Sequence, residues 1–312
     1  MSDAASLPGA VAHVARTSYG KLVAYLSART RDVAKAEDAL AEAFLEALKR
    51  WPKSGIPESP EAWLLTVARR QLIDHDRRAI TAERGGDHLL LLAEELRDRP
   101  YDIPDERLSL MFACAHPAID IKMRAPLILQ TVLAFDAATV AQAFLVTPAT
   151  MSQRLVRAKA KIRDAGIPFR IPARDELPER LDTVLAAIYA AFSAGWADPL
   201  GVDVQRKGLA DEAIWLARLI VELMPDEPEA LGLLALLLHL DARRLARRDE
   251  TGRFVPLMEQ DPTRWQSAMM AEADGLLHRA SRHRCIGRYQ LEAAIQSAHA
   301  VRRRSGRSDW AA

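Results

Sequence analysis

Apolar residues recur at three- and four-residue spacing along most of the chain, the repeat of helices with one buried face. Around Ala36 to Leu48 the apolar side is Val33, Leu40, Phe44, Leu48 and Trp51. Asp38, Glu42 and Glu46 follow one another four residues apart, which sets three carboxylates along another face. Pro52 is expected to end this helix. Ser59-Pro60-Glu61 then reads as an N-cap, a proline at the first helical position and an acid in the first turn, so the next helix starts near Pro60. Trp63, Leu64, Val67, Ala68 and Leu72 form its apolar stripe, and Arg69, Arg70, Arg77 and Arg78 edge it.

The sharpest local pattern lies further on. Asp136 is placed to N-cap a short helix through Val146, Thr147-Pro148-Ala149 is expected to make the turn, and a longer helix follows from Thr150 to about Ala165. Val140, Phe144, Val146, Met151 and Leu155 are its expected core, Ala141 marks the close approach of the two helices, and Gly166 ends the unit. Short helix, tight turn, longer helix is the helix-turn-helix pattern. Beyond Pro172 five more helices are expected, over Leu177 to Phe192, Leu209 to Met224, Pro228 to Ala246, Pro262 to Ala280 and Tyr289 to about Arg304. Asp211 to Ala235 overlays Ala271 to Ile295 at an offset of 60, pairing Glu212 with Glu272, Ala213 with Ala273, Leu216 with Leu276 and Leu231 with Leu291. Helix pairs of that kind resemble tetratricopeptide-type repeats, although a plain helical bundle gives the same pattern.

Composition supports an all-α fold. The 312 residues are 49% hydrophobic, 27% charged and only 6% aromatic, with few β-branched clusters, and by size they form two or three compact units. Charge adds what periodicity cannot. The 43 Lys and Arg nearly cancel the 42 Asp and Glu, but the signs are segregated. Residues 80–106 carry eight acids against three arginines and contain Gly85 and Gly86, so they read as an acidic linker. From Thr147 to Arg163 there are five bases and no acid.

A basic second helix after a tight turn points to DNA. Ser152, Gln153 and Arg154, at its N-terminal end, are placed to reach base edges, with Arg157 and Lys161 on phosphates. The acidic face of Asp38, Glu42 and Glu46 is either a solvated surface or a docking surface for a basic protein. No motif spaces Ser, His and Asp for catalysis, and neither a phosphate-binding glycine loop nor a zinc-protease pair occurs, so no enzyme activity is expected. Cys114 and Cys285 are too few for a disulfide framework or a four-cysteine zinc site. Cys114-Ala115-His116 reads as a packed turn ending at Pro117 rather than a metal site, and no cofactor is expected. The apolar run Ala230 to Leu238 is about half of what a spanning helix needs, and Met1 to Ala12 lacks a secretory signal, which favours the cytoplasm.

The order of these parts resembles a known family. The acidic helix, Pro60-Glu61-Ala62-Trp63-Leu64-Leu65-Thr66-Val67-Ala68-Arg69, Leu72-Ile73-Asp74 and Arg77-Arg78 resemble region 2 of the extracytoplasmic-function (ECF) sigma factors of bacterial RNA polymerase. Ala143-Phe144-Leu145-Val146, Ala149-Thr150-Met151, Gln153 to Lys159 and Arg163 to Arg170 resemble region 4 of a subgroup with a long helical C-terminal extension. Leu133 and Ala134 stand where that subgroup commonly has glycines.

The resemblance implies core RNA polymerase and promoter DNA as partners. By position it assigns polymerase docking to Asp38, Glu42, Phe44 and Glu46, and the −10 promoter element to Lys53, Ser54, Trp63, Arg69, Arg70 and Arg77. It gives the −35 element to Ser152, Gln153, Arg154, Arg157 and Lys161. The implied division is region 2 over 1–79, the linker over 80–106, region 4 over 107–171 and a helical extension over 172–312. That extension would modulate activity, acting in cis or through a regulatory protein. Two rival readings remain: a ligand-sensing helix-turn-helix repressor, and a helical-repeat scaffold whose basic helix is merely surface. Neither has a use for an acidic docking helix.

Overall fold

A computed structural model describes residues 7–82, 105–173, 175–197 and 208–305. Among them the fold is all-α, with a single isolated bridge between Arg248 and Phe254 and no strand. The chain divides into two compact units, Met1–Val184 and Leu185–Ala312.

The first unit opens with three long helices, α1 (Leu7–Thr30), α2 (Val33–Ser54) and α3 (Pro60–Ala82). Asp32 caps α2 by accepting from the Lys35 amide at 3.1 Å. Leu22 and Leu26 of α1, Leu40 and Trp51 of α2, and Leu64 of α3 are fully buried together with small residues, Ala36, Ala43 and Ala47, that let α1 and α3 approach α2. Pro52 does not end α2. The helix continues to Ser54, and the stop is Gly55, at φ 80°, whose amide donates to the Trp51 carbonyl at 3.0 Å. A proline near a helix end costs one hydrogen bond without blocking a final turn. Of the expected stripe of α2, Val33, Leu40 and Trp51 are buried, but Leu48 is 47% exposed, and Ala36, Ala39, Ala43 and Ala47 supply the other inward positions.

Four more helices follow among the described residues, ahead of the boundary: α4 (Arg107–Cys114), α5 (Ile121–Thr131), α6 (Ala137–Ala143) and α7 (Pro148–Asp164). Phe112, Met111, Leu127, Ile128 and Met151 are fully buried among them. Ala134, at a position where the resemblance implies glycine, has φ 56°, the left-handed conformation that glycine adopts at least cost. The expected linker lies mostly outside the described residues, at 83–104.

Cys114 ends α4 in the core, its sulfur 3.6 Å from the Thr131 hydroxyl oxygen, and burial pushes its thiol up to about 12. The following turn is held locally, with the Ala118 amide donating to His116 Nδ1 at 3.1 Å. No group of three His, Cys, Asp or Glu side chains able to hold a metal occurs among the described residues. The thiolate is the reactive form. A thiol reagent at pH 8 should therefore label the native chain once, at exposed Cys285, and twice after denaturation. Mass spectrometry of the labelled peptides checks this, and fast native labelling of Cys114 would contradict its burial.

The boundary between units falls inside α8 (Leu177–Ala197). The second unit adds α9 (Leu209–Leu223), α10 (Pro228–Asp241), α11 (Ser267–Ser281) and α12 (Arg288–Ser305). α10 is apolar nearly all round and packs against both α11 and α12, as a central helix must. Gly232 allows α12 that approach, since a Cβ there would lie 2.7 Å from the Gln290 amide nitrogen. α10 stops earlier, and α11 starts later, than periodicity indicated. Residues 242–266 hold three short 3₁₀ turns, one capped by Asp261, and the Gln266 amide returns to the Ala242 carbonyl at 2.9 Å. Two helix pairs result, α9 with α10 and α11 with α12. Ala213, Ala273, Leu216, Leu276 and Leu231 are buried as the 60-residue offset requires, but Leu291 is 54% exposed.

Candidate nucleic-acid interface

α6 and α7 are the two helices that the sequence pattern predicts as a helix-turn-helix, and they pack against each other. Asp136 caps α6, accepting from the Thr139 amide at 2.7 Å. α6 ends at Ala143 rather than Val146, and the turn is Phe144 to Val146. Leu145 sits at φ 54° and is 93% exposed, while the Val146 amide reaches back to the Ala141 carbonyl at 3.0 Å. Thr147 then caps α7 by accepting from the Thr150 amide, with Pro148 at its first position. Val140, Ala141, Met151 and Leu155 are buried, as their spacing required. Phe144 is not part of that core. It lies in the turn and is exposed, because α6 stops one residue before it.

The buried positions of α7, Met151, Leu155, Ala158 and Ile162, fix what its other faces present. Ser152, Gln153, Arg154, Arg157 and Lys161 are all exposed. Val156, 67% exposed, lies on the same open side and was not singled out by charge. An apolar side chain there suits contact with a thymine methyl group.

Two of the five bases point elsewhere. Lys159 is buried in an ion pair with Glu37 of α2, and Arg163 reaches Asp32, the α2 cap, at 3.6 Å. These contacts join α7 to α2 within the first unit. Burial holds the Glu37 carboxyl above its ordinary range against the opposing pull of Lys159. The available bases of α7 are therefore Arg154, Arg157 and Lys161.

Lys53 and Ser54 are exposed on the last turn of α2, where the Ser54 hydroxyl donates to the Arg50 carbonyl at 3.1 Å. Trp63 is half-buried and packs edge-on against Trp51, with ring centroids 5.5 Å apart. Arg70 is exposed on α3. Arg69 turns inward instead, donating to the Tyr25 hydroxyl at 2.5 Å. Arg77 belongs to α3, but its side chain lies outside the described residues.

On α2, Asp38 and Glu42 are exposed and Phe44 is half-buried. Glu46 is taken up by Arg50 at 2.5 Å and Lys49 at 3.8 Å. Leu45 and Leu48, 49% and 47% exposed, stand beside Asp38 and Glu42. Spacing could have flagged Leu45, which follows Asp38 by seven residues, two helical turns on the same line.

Residues 14–80 match sigma-70 region 2, and residues 180–281 match a family of unknown function, DUF6596. Over 317 aligned positions the chain is 38% identical to the uncharacterized protein R00370 of Rhizobium meliloti (strain 1021), across 99% of this chain and 74% of that one. The chain belongs to the family of R00370. No solved structure matches it. The sigma-70 region 2 match supports a sigma-factor role in transcription initiation, and with it core RNA polymerase and promoter DNA as partners. This region 2 spans α1 to α3 and so contains the acidic face of α2, the Trp51–Trp63 contact and Arg69 and Arg70. No helix among the described residues is long and apolar enough to cross a membrane.

Proposed function

We propose that the chain is a sigma factor of the ECF type, which brings RNA polymerase to a particular set of promoters and helps open them. The observation that carries this reading furthest is the exposure of Ser152, Gln153, Arg154, Arg157 and Lys161 on a helix whose opposite face is buried, in the same unit as the region 2 match. In this reading α7 enters the major groove of the −35 element. Gln153 and Arg154 read base edges, Ser152 assists, and Arg157 and Lys161 hold phosphates. Asp38 and Glu42 dock on a basic surface of core polymerase, with Phe44 and Glu46 at the margin. Lys53, Ser54, Trp63 and Arg70 engage the opened −10 strand, where an unstacked base needs a pocket or a stacking partner to offset its cost. Arg69 supports that surface from within by fixing α3 to α1, and Arg77, later on α3, is the remaining candidate for the same strand. The acidic residues of 80–106 occupy channels that later hold nucleic acid, and residues 172–312 modulate the outcome.

The test is reconstitution of the full chain with core polymerase and genomic promoter fragments, reading transcription and footprints. Arg154→Ala should weaken binding roughly tenfold or more and relax preference at one −35 position. Arg157→Ala should weaken all sequences alike and lower the salt slope by about one. A chain that binds DNA tightly without polymerase and never joins core would be a repressor instead.

A further inference from the structure

Within the second unit, α8, α10 and α12 line a half-open cavity of about 330 Å³. Its apolar walls are Phe192, Trp196, Leu236, Leu240 and Ile295, with Phe192 and Trp196 stacked at 6.3 Å between ring centroids. Tyr189, Ser193, Glu292 and Gln296 are its polar lining residues. Glu292 is already engaged by Arg288, at 2.7 Å.

The chemistry behind these walls is unusual. Arg243 is 6% exposed and its guanidinium donates to Gln296 Oε1 at 2.5 Å and to the His239 carbonyl at 3.2 Å. Arg247, 8% exposed, lies over the Trp196 ring at 3.2 Å and donates to the Trp196 carbonyl at 2.6 Å, while its Nε finds no acceptor. Arg248 donates to the Gly252 carbonyl at 2.6 Å, and its Nε is also unpaired. All three cations thus meet neutral oxygens only, among the described residues. Arg244, within the same short stretch, shows the ordinary solution by pairing with Asp211 and Asp241. Burial pushes both Arg243 and Arg247 down to about 10, and the neighbouring cations add to the shift at Arg247.

Buried guanidiniums without a counter-ion are costly unless an anion is supplied. Because a guanidinium only donates, Arg243 fixes the Gln296 carbonyl toward itself and leaves the amide N–H groups for another acceptor at the cavity wall. We propose that this cavity binds a small organic monocarboxylate, its hydrocarbon or aromatic body against Phe192, Trp196 and Leu240 and its carboxylate on the Gln296 amide, in the field of Arg243 and Arg247. The volume suits a ligand of roughly ten to twelve non-hydrogen atoms. Such a ligand supplies a negative charge that no described residue brings to Arg243 and Arg247, together with the apolar filling, which neither water nor chloride does. The site lies in the part of the chain beyond the sigma-70 region 2 match, so it would give that part a chemical input of its own.

Isothermal titration of the full chain with octanoate and 4-phenylbutyrate, and with the neutral alcohols 1-octanol and 4-phenyl-1-butanol, tests the proposal without polymerase or DNA. Each carboxylate should bind once per chain and at least about tenfold more tightly than its alcohol. Gln296→Leu should remove that preference. Leu240→Trp, which fills the cavity and leaves every arginine partner in place, should abolish binding of acids and alcohols alike while the chain still melts cooperatively. Absence of saturable binding by both carboxylates overturns the proposal. Equal affinity for acid and alcohol overturns its anionic half, and tight binding that survives Leu240→Trp places the ligand elsewhere.

Discussion

Gly20→Ala should destabilise the first unit by on the order of 3 kcal/mol. Gly20 lies where α1 crosses the end of α5, and a Cβ at that position would stand 1.9 Å from the Val132 carbonyl oxygen and 3.0 Å from its carbon. The obstacle is backbone, so no rotamer change relieves it. Val132 is also pinned, as the C-cap of α5 whose amide donates to the Ile128 carbonyl at 3.0 Å. To make room, the helices must separate, and each carries fully buried apolar residues nearby in sequence, Leu22 and Val23 on α1 and Leu127 and Ile128 on α5. Helix propensity alone favours alanine over glycine by about 1 kcal/mol, so the direction of the effect separates packing from propensity. Gly275→Ala on α11 is the control, since nothing lies within 4 Å of a Cβ there, and it should be neutral or slightly stabilising. Urea titration of both variants, followed by far-ultraviolet circular dichroism, reads the difference. Equal stability for the two would show that α1 and α5 are not held at the distance seen.

The contrast between what was legible and what was not has a physical basis. Helical period, Ser59-Pro60-Glu61, Asp136 and Gly166 act within a few residues, and each marks an element edge found in the fold. The turn of the helix-turn-helix was displaced because its determinant, a left-handed Leu145 with the Val146 amide bonded to Ala141, carries no glycine or asparagine to announce it. Long-range pairing was invisible altogether. Lys159 looks like a fifth DNA-facing base until Glu37, 122 residues earlier, claims it. Arg69 looks like a member of a basic edge until Tyr25, 44 residues earlier, turns it inward. Gly20 gave no signal either, since close approach of two backbones depends on a partner helix more than a hundred residues away. At the candidate interface the exposed positions of α7, Ser152, Gln153, Arg154, Arg157 and Lys161, followed from helical spacing. Which bases remain available was decided by tertiary structure.

Reversing charge on the outer face of α2, with Asp38→Lys and Glu42→Lys together, should abolish assembly with core polymerase, lowering affinity by at least about a hundredfold. Asp38 and Glu42 are exposed one turn apart and, among the described residues, form no ion pair, so their charge is available to a partner. Glu46, by contrast, is already neutralised by Arg50 and Lys49, and Glu46→Lys alone should do much less. Leu45 and Leu48 give the same face an apolar centre, which a purely solvated acidic surface has no reason to expose. Leu45→Asp should therefore weaken assembly even though it adds negative charge, and that outcome distinguishes a packed interface from long-range attraction. The buried side of α2 is formed by Val33, Ala36, Ala39, Leu40, Ala43, Ala47 and Trp51, none of which these changes touch, so the melting temperature should stay within a few degrees. Size-exclusion chromatography with core polymerase, repeated at low and high salt, provides the measurement. Unchanged co-elution of the doubly reversed chain would return the acidic face to the role of solvated surface, and polymerase would then have to dock elsewhere on region 2.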